Sequence, residues 1–318
     1  MISAPLAAIT GGTGFVGLHL LPALARSGFR LRLLVRHPPS HPALNGLAFE
    51  TVYGDLRNET ALAELVSGAD VVIHAAGLIK AHRRTDFLEV NRDGTALLAH
   101  ITRRQAASAR FLMVSSLAAR EPSLSPYAYS KNAAEQEARR IFSDAPAQLA
   151  ILRPPALYGP WDKETLSLFK ASRRRFVPLL SLGRAALLHA DDAAGALAAM
   201  AGTEFTPGCF ALADERPAGY TMREIFTEAA RATGGKPHFL TLPPFVLLTA
   251  GAASGLWGQT RRVAPIFTLG KAREIMHPDW SVSDTELLPR KVYTPLIGLA
   301  TGFAQTVSWY RQVDWLHG

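Results

Sequence analysis

Thr10-Gly11-Gly12-Thr13-Gly14-Phe15-Val16-Gly17 decides how this chain is read. It follows an apolar run, Leu6-Ala7-Ala8-Ile9, with the character of a short buried strand. It leads into Leu18-His19-Leu20-Leu21-Pro22-Ala23-Leu24-Ala25, whose apolar residues recur at helical spacing. Strand, glycine turn and helix together make a phosphate cradle. The turn is tight, and a side chain would hold a pyrophosphate away from the backbone amides at the helix N-terminus, where the dipole favours negative charge. The glycines satisfy two spacings, Gly-x-Gly-x-x-Gly (Gly12, Gly14, Gly17) and Gly-x-x-Gly-x-x-Gly (Gly11, Gly14, Gly17). Either predicts a dinucleotide held by residues 10–17.

Outward from this turn, strand and helix signals alternate. Strands are expected at 30–35, 49–55, 70–77, 110–116 and 149–153, and helices at 60–66, 87–105 and 127–142. With the first strand this makes six strands joined by helical crossovers, an α/β chain with a Rossmann-type doubly wound parallel sheet. From Pro154 prolines and glycines become frequent, and the segment 185–200 reads as a return to the core followed by a helix capped by Asp191 and Asp192. A further amphipathic helix is expected over 220–234. The domain reading is 1–157 with 185–213 as the NAD(P)-binding part, and 158–184 with 214–318 as a smaller C-terminal substrate-binding region.

The chain has 318 residues, is 48% hydrophobic and carries a formal charge of +8. Its basic residues fall in scattered groups, Arg83-Arg84, Arg103-Arg104, Arg139-Arg140, Arg173-Arg174-Arg175 and Arg261-Arg262, and not on one stripe interleaved with aromatics. Solvated helix faces are expected, and no nucleic-acid partner. The single cysteine, Cys209, excludes an internal disulfide or a cysteine metal cluster, and no metal is expected. The N-terminus enters the first strand without a signal-like segment, which reads as cytoplasmic. The longest apolar stretch, Phe245 to Trp257 with Gly251 and Gly255 inside it, is shorter than the roughly 20 residues of a spanning helix. It reads as a buried helix or a lid over an apolar pocket, with peripheral membrane contact helped by Arg261 and Arg262 as the alternative.

The end of the second strand faces the adenosine ribose in such folds, about 20 residues past the glycines, where a carboxylate would accept from the 2′-hydroxyl and an arginine would pair with a 2′-phosphate. Here Arg36 and His37 stand there, and NADP(H) is expected over NAD(H). Asp55 is placed to accept from the adenine amino group, with Leu56 beside the ring. Tyr127 and Lys131 lie four apart on a predicted helix and so share a face. A phenol with a pKa near 10 is a poor base at neutral pH until a neighbouring cation stabilises its phenolate. Ser115 or Ser116, one loop upstream, can hydrogen-bond a substrate oxygen, while Tyr129 would point elsewhere.

Residues 10–17, His74-Ala75-Ala76-Gly77, Asn91, Ser115-Ser116, Tyr127-x-x-x-Lys131 and Arg153-Pro154-Pro155-Ala156-Leu157-Tyr158-Gly159-Pro160 together resemble the extended or atypical short-chain dehydrogenase/reductases. The branch is that of nucleotide-sugar epimerases and 3β-hydroxysteroid dehydrogenases, and the resemblance runs over about residues 5 to 200. It implies Tyr127 as general acid/base, Lys131 on the nicotinamide ribose, and Ser116 positioning the reacting oxygen. It also implies that Ala75, Ala76 and Gly77 line the cofactor and that Pro154 and Leu157 meet its nicotinamide end. Two features depart from the epimerases: Ala156 stands where they carry an asparagine for the substrate diphosphate, and the interval from Ser116 to Tyr127 is short. The leading expectation is an NADP-dependent oxidoreductase interconverting a secondary alcohol and a ketone on a hydrophobic or steroid-like small molecule. The segment 245–257 and the aromatic residues Phe267, Trp280 and Trp309 suggest that substrate. A nucleotide-sugar epimerase or dehydratase, and a non-enzymatic NADP-binding accessory or sensor protein, are the alternatives. By resemblance, a homodimer would form through the helices over 87–105 and 127–142.

Overall fold

The computed structural model describes residues 4–81, 83–179, 183–202, 204–241 and 269–317. The stretch Phe245 to Trp257, Arg261-Arg262 and Phe267 lie outside the described residues. Two compact units divide the chain: Met1–Arg153 with Ala193–Phe210 and Leu288–Thr294, and Pro154–Asp192 with Ala211–Leu287 and Pro295–Gly318.

In the first unit, β1 (Leu6–Thr10), β2 (Arg30–Val35), β3 (Glu50–Tyr53), β4 (Val71–His74), β5 (Arg110–Val114) and β6 (Leu149–Arg153) pair in parallel. The near-continuous apolar runs of β1, β4, β5 and β6 suit strands buried on both faces, while β2 and β3 carry Arg30, Arg32 and Glu50 toward the sheet edge. Between them run α1 (Phe15–Arg26), α2 (Glu59–Val66), α3 (Arg84–Phe87), α4 (Gly94–Gln105) and α5 (Pro126–Ile141). The strand order 3-2-1-4-5-6 places the start of the switch beside β1, because Thr10 is level with both Leu34 and His74. One core layer joins Leu62 and Leu65 of α2, Leu98 and Ala99 of α4, and Ala134 and Ala138 of α5 to Phe111 and Met113 of β5.

Three details differ from the sequence expectation. A seventh strand, Gly208–Ala211, extends the sheet beyond β6; at four residues it is too short to show a strand pattern. The helix expected over 87–105 is α3, a π-helical turn at Leu88–Asp93, and α4. Asp191 and Asp192 lie inside the first turn of the helix rather than ahead of it. The helix there begins at Ala190, and the Asp192 carboxylate instead accepts from the Leu296 and Ile297 amides, both at 2.9 Å.

The second unit holds the short strands β7 (Ala156–Tyr158), β8 (Phe176–Leu179), β9 (Arg184–Ala185) and β10 (Leu187–His189). It also holds the helices α6 (Leu166–Ser172), α8 (Met222–Thr233), α9 (Leu269–Met276) and α10 (Leu299–Gln312), with α7 (Ala190–Ala201) running between the units' segments. Strand β7 pairs with β10 in parallel. The helices α6, α8 and α10 share a core of Phe169, Ile225, Ala229, Phe303 and Tyr310. Thr221 and Glu224 form a reciprocal cap on α8, and Gly234 closes it in the left-handed conformation. Among the described residues no helix is long and apolar enough to cross a membrane.

Candidate active site

The glycine turn has room for backbone alone. Gly11 has φ +76°, and a Cβ there would lie 2.5 Å from the Ala75 carbonyl carbon and the Ala76 nitrogen. Gly17 is buried in the first turn of α1, where a Cβ would lie 2.3 Å from the Gly12 oxygen. At Gly12 the neighbours would be the Leu33 and Leu21 side chains at 3.2 and 3.4 Å, which can give. The demanding positions are therefore Gly11, which only the Gly-x-x-Gly-x-x-Gly spacing includes, and Gly17, which both spacings share; Gly14 donates its amide to the Gly11 oxygen at 3.0 Å. Gly14 is the N-cap of α1, which has no side-chain cap and no acidic residue in its first turn. Thr13 and Gly14 are exposed, and Phe15 and Val16 half-buried. An open helix N-terminus over a turn that has no room for a Cβ at Gly11 or Gly17 fits the pyrophosphate of a dinucleotide.

Beside it the strand ends are pinned by a chain of hydrogen bonds. Thr10 Oγ1 lies 2.7 Å from His74 Nδ1, His74 Nε2 lies 2.8 Å from Thr95 Oγ1, and Thr95 donates to the Asn91 carbonyl at 2.6 Å. Burial, with the Lys131 ammonium adding to it, pushes His74 down to about 3. The imidazole is neutral, and both its nitrogens serve the threonines. His74 thus acts as a strut joining β1, β4 and α4 behind Ala75, Ala76 and Gly77, which follow it toward solvent.

Arg36 and His37 are exposed directly after β2. Asp55 follows β3 on the same edge, since Val35 is level with Tyr53. Arg57 holds the Asp55 carboxylate through its amide at 2.8 Å and its guanidinium at 3.1 Å, and these bonds lower its pKa, with Arg36 contributing at longer range. Leu56 is buried against Gly94.

Helix α5 carries the polar centre. Ser125 accepts from the Ala128 amide at 3.0 Å, and Pro126 opens the helix. Tyr127 is half-buried in the first turn, its ring edge-on to Phe87 at 6.3 Å. One turn on, the buried Lys131 donates Nζ to the Val114 carbonyl at 3.0 Å. Burial pushes this lysine down to about 8 against the pull of Glu135. A Cβ on Gly77 would lie 3.1 Å from Asn91 Oδ1 and 3.2 Å from Lys131 Nζ, so Gly77, Asn91 and Lys131 converge. Asn91 sits in the π turn, a recurrent device at functional positions. Its Oδ1 accepts from the Leu78 amide at 2.7 Å, and its Nδ2 donates to the Leu78 carbonyl at 3.0 Å and to Ser130 Oγ at 2.9 Å. Ser130 in turn donates to the Tyr127 carbonyl at 2.8 Å. Tyr129 is exposed, with Arg84 over its ring.

The two adjacent serines part company. Ser115 is buried and donates to Glu135 Oε1 at 2.5 Å, while Arg153 holds both oxygens of that carboxylate, at 2.8 and 2.6 Å. Ser116 is half-buried and caps a single 3-10 turn by accepting from the Ala118 amide at 3.2 Å. Pro154, buried, and Leu157, half-buried on β7, belong to the second unit. The sequence reading missed Thr95, Ser130 and the Glu135–Arg153 pair. Glu135 shares the helix face of Tyr127 and Lys131 at successive steps of four, and that spacing was the available signal. Among the described residues no group of three or more His, Cys, Asp or Glu is placed to hold a metal.

Residues 7–208 match the NAD dependent epimerase/dehydratase family. Over 97% of its length the chain is 47% identical to the ceramide reductase of Caulobacter vibrioides (strain NA1000 / CB15N), of which the match covers 95%. A 3-beta-hydroxysteroid dehydrogenase of Mycolicibacterium neoaurum is 35% identical over 120 residues, 34% of this chain and 31% of that one. In fold, the chain is similar to the UDP-glucose 4-epimerase of Bifidobacterium longum solved with NAD+ and UDP. The TM-score is 0.71 at 16% identity, covering 97% of this chain and 99% of the epimerase.

Proposed function

The chain belongs to the NAD dependent epimerase/dehydratase family, and we propose that it reduces a ketone on a lipid of the ceramide class to a secondary alcohol, with NADPH preferred over NADH. The carrying observation is the buried cation of Lys131 beside Gly77 and Asn91, one helical turn from Tyr127. A binding module gains nothing from a charge kept in so apolar a place, whereas a proton-transfer site does. The lipid class rests on the 47% identity to a ceramide reductase along nearly the whole of both chains. A ceramide's secondary hydroxyl is the product that a ketone yields at such a site.

Residues 10–17 would hold the pyrophosphate, Arg36 would pair with the 2′-phosphate, and Asn91, Gly77 and Lys131 would hold the nicotinamide ribose. When bound, the nicotinamide supplies a hydride. Tyr127 gives its phenolic proton to the carbonyl oxygen as that oxygen becomes an alcohol, and the Lys131 ammonium stabilises the phenolate left behind. Ser116 donates to the same oxygen and fixes the carbonyl. The run Asn91–Ser130–Tyr127 carbonyl holds the first turn of α5, and with it the phenol, in place. Ala156 argues against a sugar nucleotide, since the diphosphate-holding asparagine of the epimerases is missing there.

The test is NADPH oxidation by the purified full chain given a ceramide whose secondary hydroxyl has been oxidised to a ketone. Turnover is expected, together with a loss of about 10²–10⁴-fold in Tyr127→Phe. Full turnover in Tyr127→Phe, or no oxidation of tightly bound NADPH by any lipid ketone, would overturn the reading. A rise in melting temperature with UDP-glucose and none with the lipid would return the epimerase alternative.

A further inference from the structure

The triplet Arg173-Arg174-Arg175 has no part in the site above. Arg173 stands at the end of α6, on the wall of a cavity of about 510 Å³ that lies wholly within the second unit. Lys163, Lys170 and Arg173 supply its charge, and Leu166, Trp315 and Leu316 its apolar floor. The three cations are exposed, and among the described residues none of them has a carboxylate partner. Arg173 donates to the His317 carbonyl, and Lys163 lies over the Trp315 ring at 5.4 Å from its centroid. Asp314 is the single acidic residue of the lining. Three exposed cations against one carboxylate leave the lining with a net positive charge, which favours an entering anion.

The walls are built rather than incidental. Buried Asp162 accepts from the Glu164 and Thr165 amides at 2.8 and 3.1 Å and from the Thr165 hydroxyl at 2.5 Å, and Tyr310 of α10 donates its hydroxyl to the Asp162 carbonyl at 2.5 Å. Tyr310 stacks on Trp315, and Trp309 packs edge-on against both Trp161 and Trp315. Among the described residues only two that are not glycine have positive φ, Trp161 at 70° and Asp314 at 56°. They introduce the two segments that bring Lys163 and Trp315 to the cavity. A left-handed tryptophan is costly and persists only where its surroundings fix it, which is a mark of functional sites.

We propose that this cavity binds the phosphate of an amphiphile, with the phosphate on Lys163, Lys170 and Arg173 and the adjoining apolar part on Trp315, Leu166 and Leu316. Three separated donors suit a phosphate, which offers several charged oxygens, better than a single carboxylate. The ligand is either the headgroup of an anionic phospholipid in a bilayer or a soluble phosphate ester; the chemistry recognised is the same. The proposal is independent of the reductase reading, and binding alone tests it.

The experiment takes the full chain, the triple variant Lys163→Gln/Lys170→Gln/Arg173→Gln, and a charge-matched control, Arg104→Gln/Arg290→Gln/Lys291→Gln, whose exposed cations lie in the other unit. Each is floated with vesicles of phosphatidylcholine, with and without phosphatidylglycerol. Each is also titrated with glycerol 3-phosphate and with inorganic phosphate while tryptophan fluorescence is followed. We expect the parent protein to bind only the phosphatidylglycerol vesicles, each cation contributing about fivefold, so that the triple variant loses about a hundredfold while the control loses little. Saturable quenching by glycerol 3-phosphate without vesicle binding, abolished in the triple variant, also upholds the site and assigns it to a soluble ester. Equal losses in the triple variant and the control, or no binding of either vesicles or phosphate by the parent protein, overturn it. Should the triple variant fail to fold, Lys170→Gln alone, on the exposed side of α6, is expected to lose about fivefold, and an unchanged affinity there overturns the proposal as well.

Discussion

Lys131 is held charged in a place that resists charge. Burial brings its pKa from 10.5 to about 8, so the folded protein releases this proton before the unfolded chain does. Between those values the unfolded state binds more protons, and stability gains as pH rises through that window. Activity runs the other way, because the cation that supports a Tyr127 phenolate is lost above about pH 8. On the proposed mechanism kcat/KM falls as pH rises through that value. In Lys131→Arg the limb is expected to vanish, since a guanidinium does not deprotonate, although the rate is lower because the bulkier group cannot reproduce the bond to the Val114 carbonyl. A limb at pH 8 that survives in Lys131→Arg would assign the titration to another group. At Gly17 the argument is steric. Alanine is the better helix former by about 1 kcal/mol, yet its Cβ would lie 2.3 and 2.4 Å from the Gly12 and Gly11 oxygens. Gly17→Ala is expected to open the turn, lower the melting temperature and abolish the rise that NADPH gives. A full NADPH shift in that variant would place the pyrophosphate elsewhere.

At the scale of elements, β5 and β6 are tied to α5 by one buried carboxylate. Glu135 takes two bonds from Arg153 and one from Ser115, so Ser115→Ala leaves it short of a donor and is expected to cost about 1–3 kcal/mol with kinetics little changed. Ser116→Ala should cost about 1 kcal/mol as the loss of a cap and reduce turnover by about 10²-fold. Denaturant unfolding and steady-state rates on the two variants separate these roles, and an exchange of the two outcomes would reassign the serines. Sequence alone left the serines undecided: alternation along β5 puts them on opposite sides without saying which side holds Glu135. It gave the helices at 59–66 and 222–233 nearly to the residue, because periodicity and caps agree there. It gave no sign of the π turn that aims Asn91 at Leu78, since the apolar pattern across 87–105 suits an unbroken helix. In the second unit, buried Asp214 accepts from the Tyr220 hydroxyl at 2.8 Å and the Arg216 amide at 2.9 Å, and burial lifts its pKa to about 6. A raised carboxylate destabilises as it ionises, so stability falls from about pH 4 to pH 6. Tyr220→Phe removes a donor that only the ionised form needs fully, and its thermal penalty is expected to be larger at pH 8 than at pH 5. A penalty independent of pH would mean that packing of the ring, not the bond, is what Tyr220 contributes.

For the whole molecule, the parallel sheet and its glycine turn were legible because strand, turn and helix each carry a local signal that agrees with the others. The second unit was less so. It is assembled from three separated stretches joined by two- to four-residue strands, whose pairings are set by distant contacts and not by pattern. All the proposed cofactor contacts except Pro154 and Leu157 fall in the first unit, and on the proposed reading one of them, Arg36, would tell two cofactors apart. It is exposed at the end of β2 with Asp55 and Arg57 on the neighbouring strand end, and Arg57 already holds Asp55, which leaves the Arg36 charge for a phosphate. A ligand that binds only the folded state adds about 2.7 kcal/mol at a hundred times its dissociation constant, so melting temperature reads the preference directly. NADPH is expected to raise it more than NADH at equal concentration. In Arg36→Asp a carboxylate would repel the 2′-phosphate and could accept from a 2′-hydroxyl, so NADPH affinity should fall about 10–100-fold while NADH is held within a few-fold. If NADH stabilises the parent protein as strongly as NADPH, and Arg36→Asp alters neither, the 2′-position is not read by this strand end and the NADPH preference is wrong.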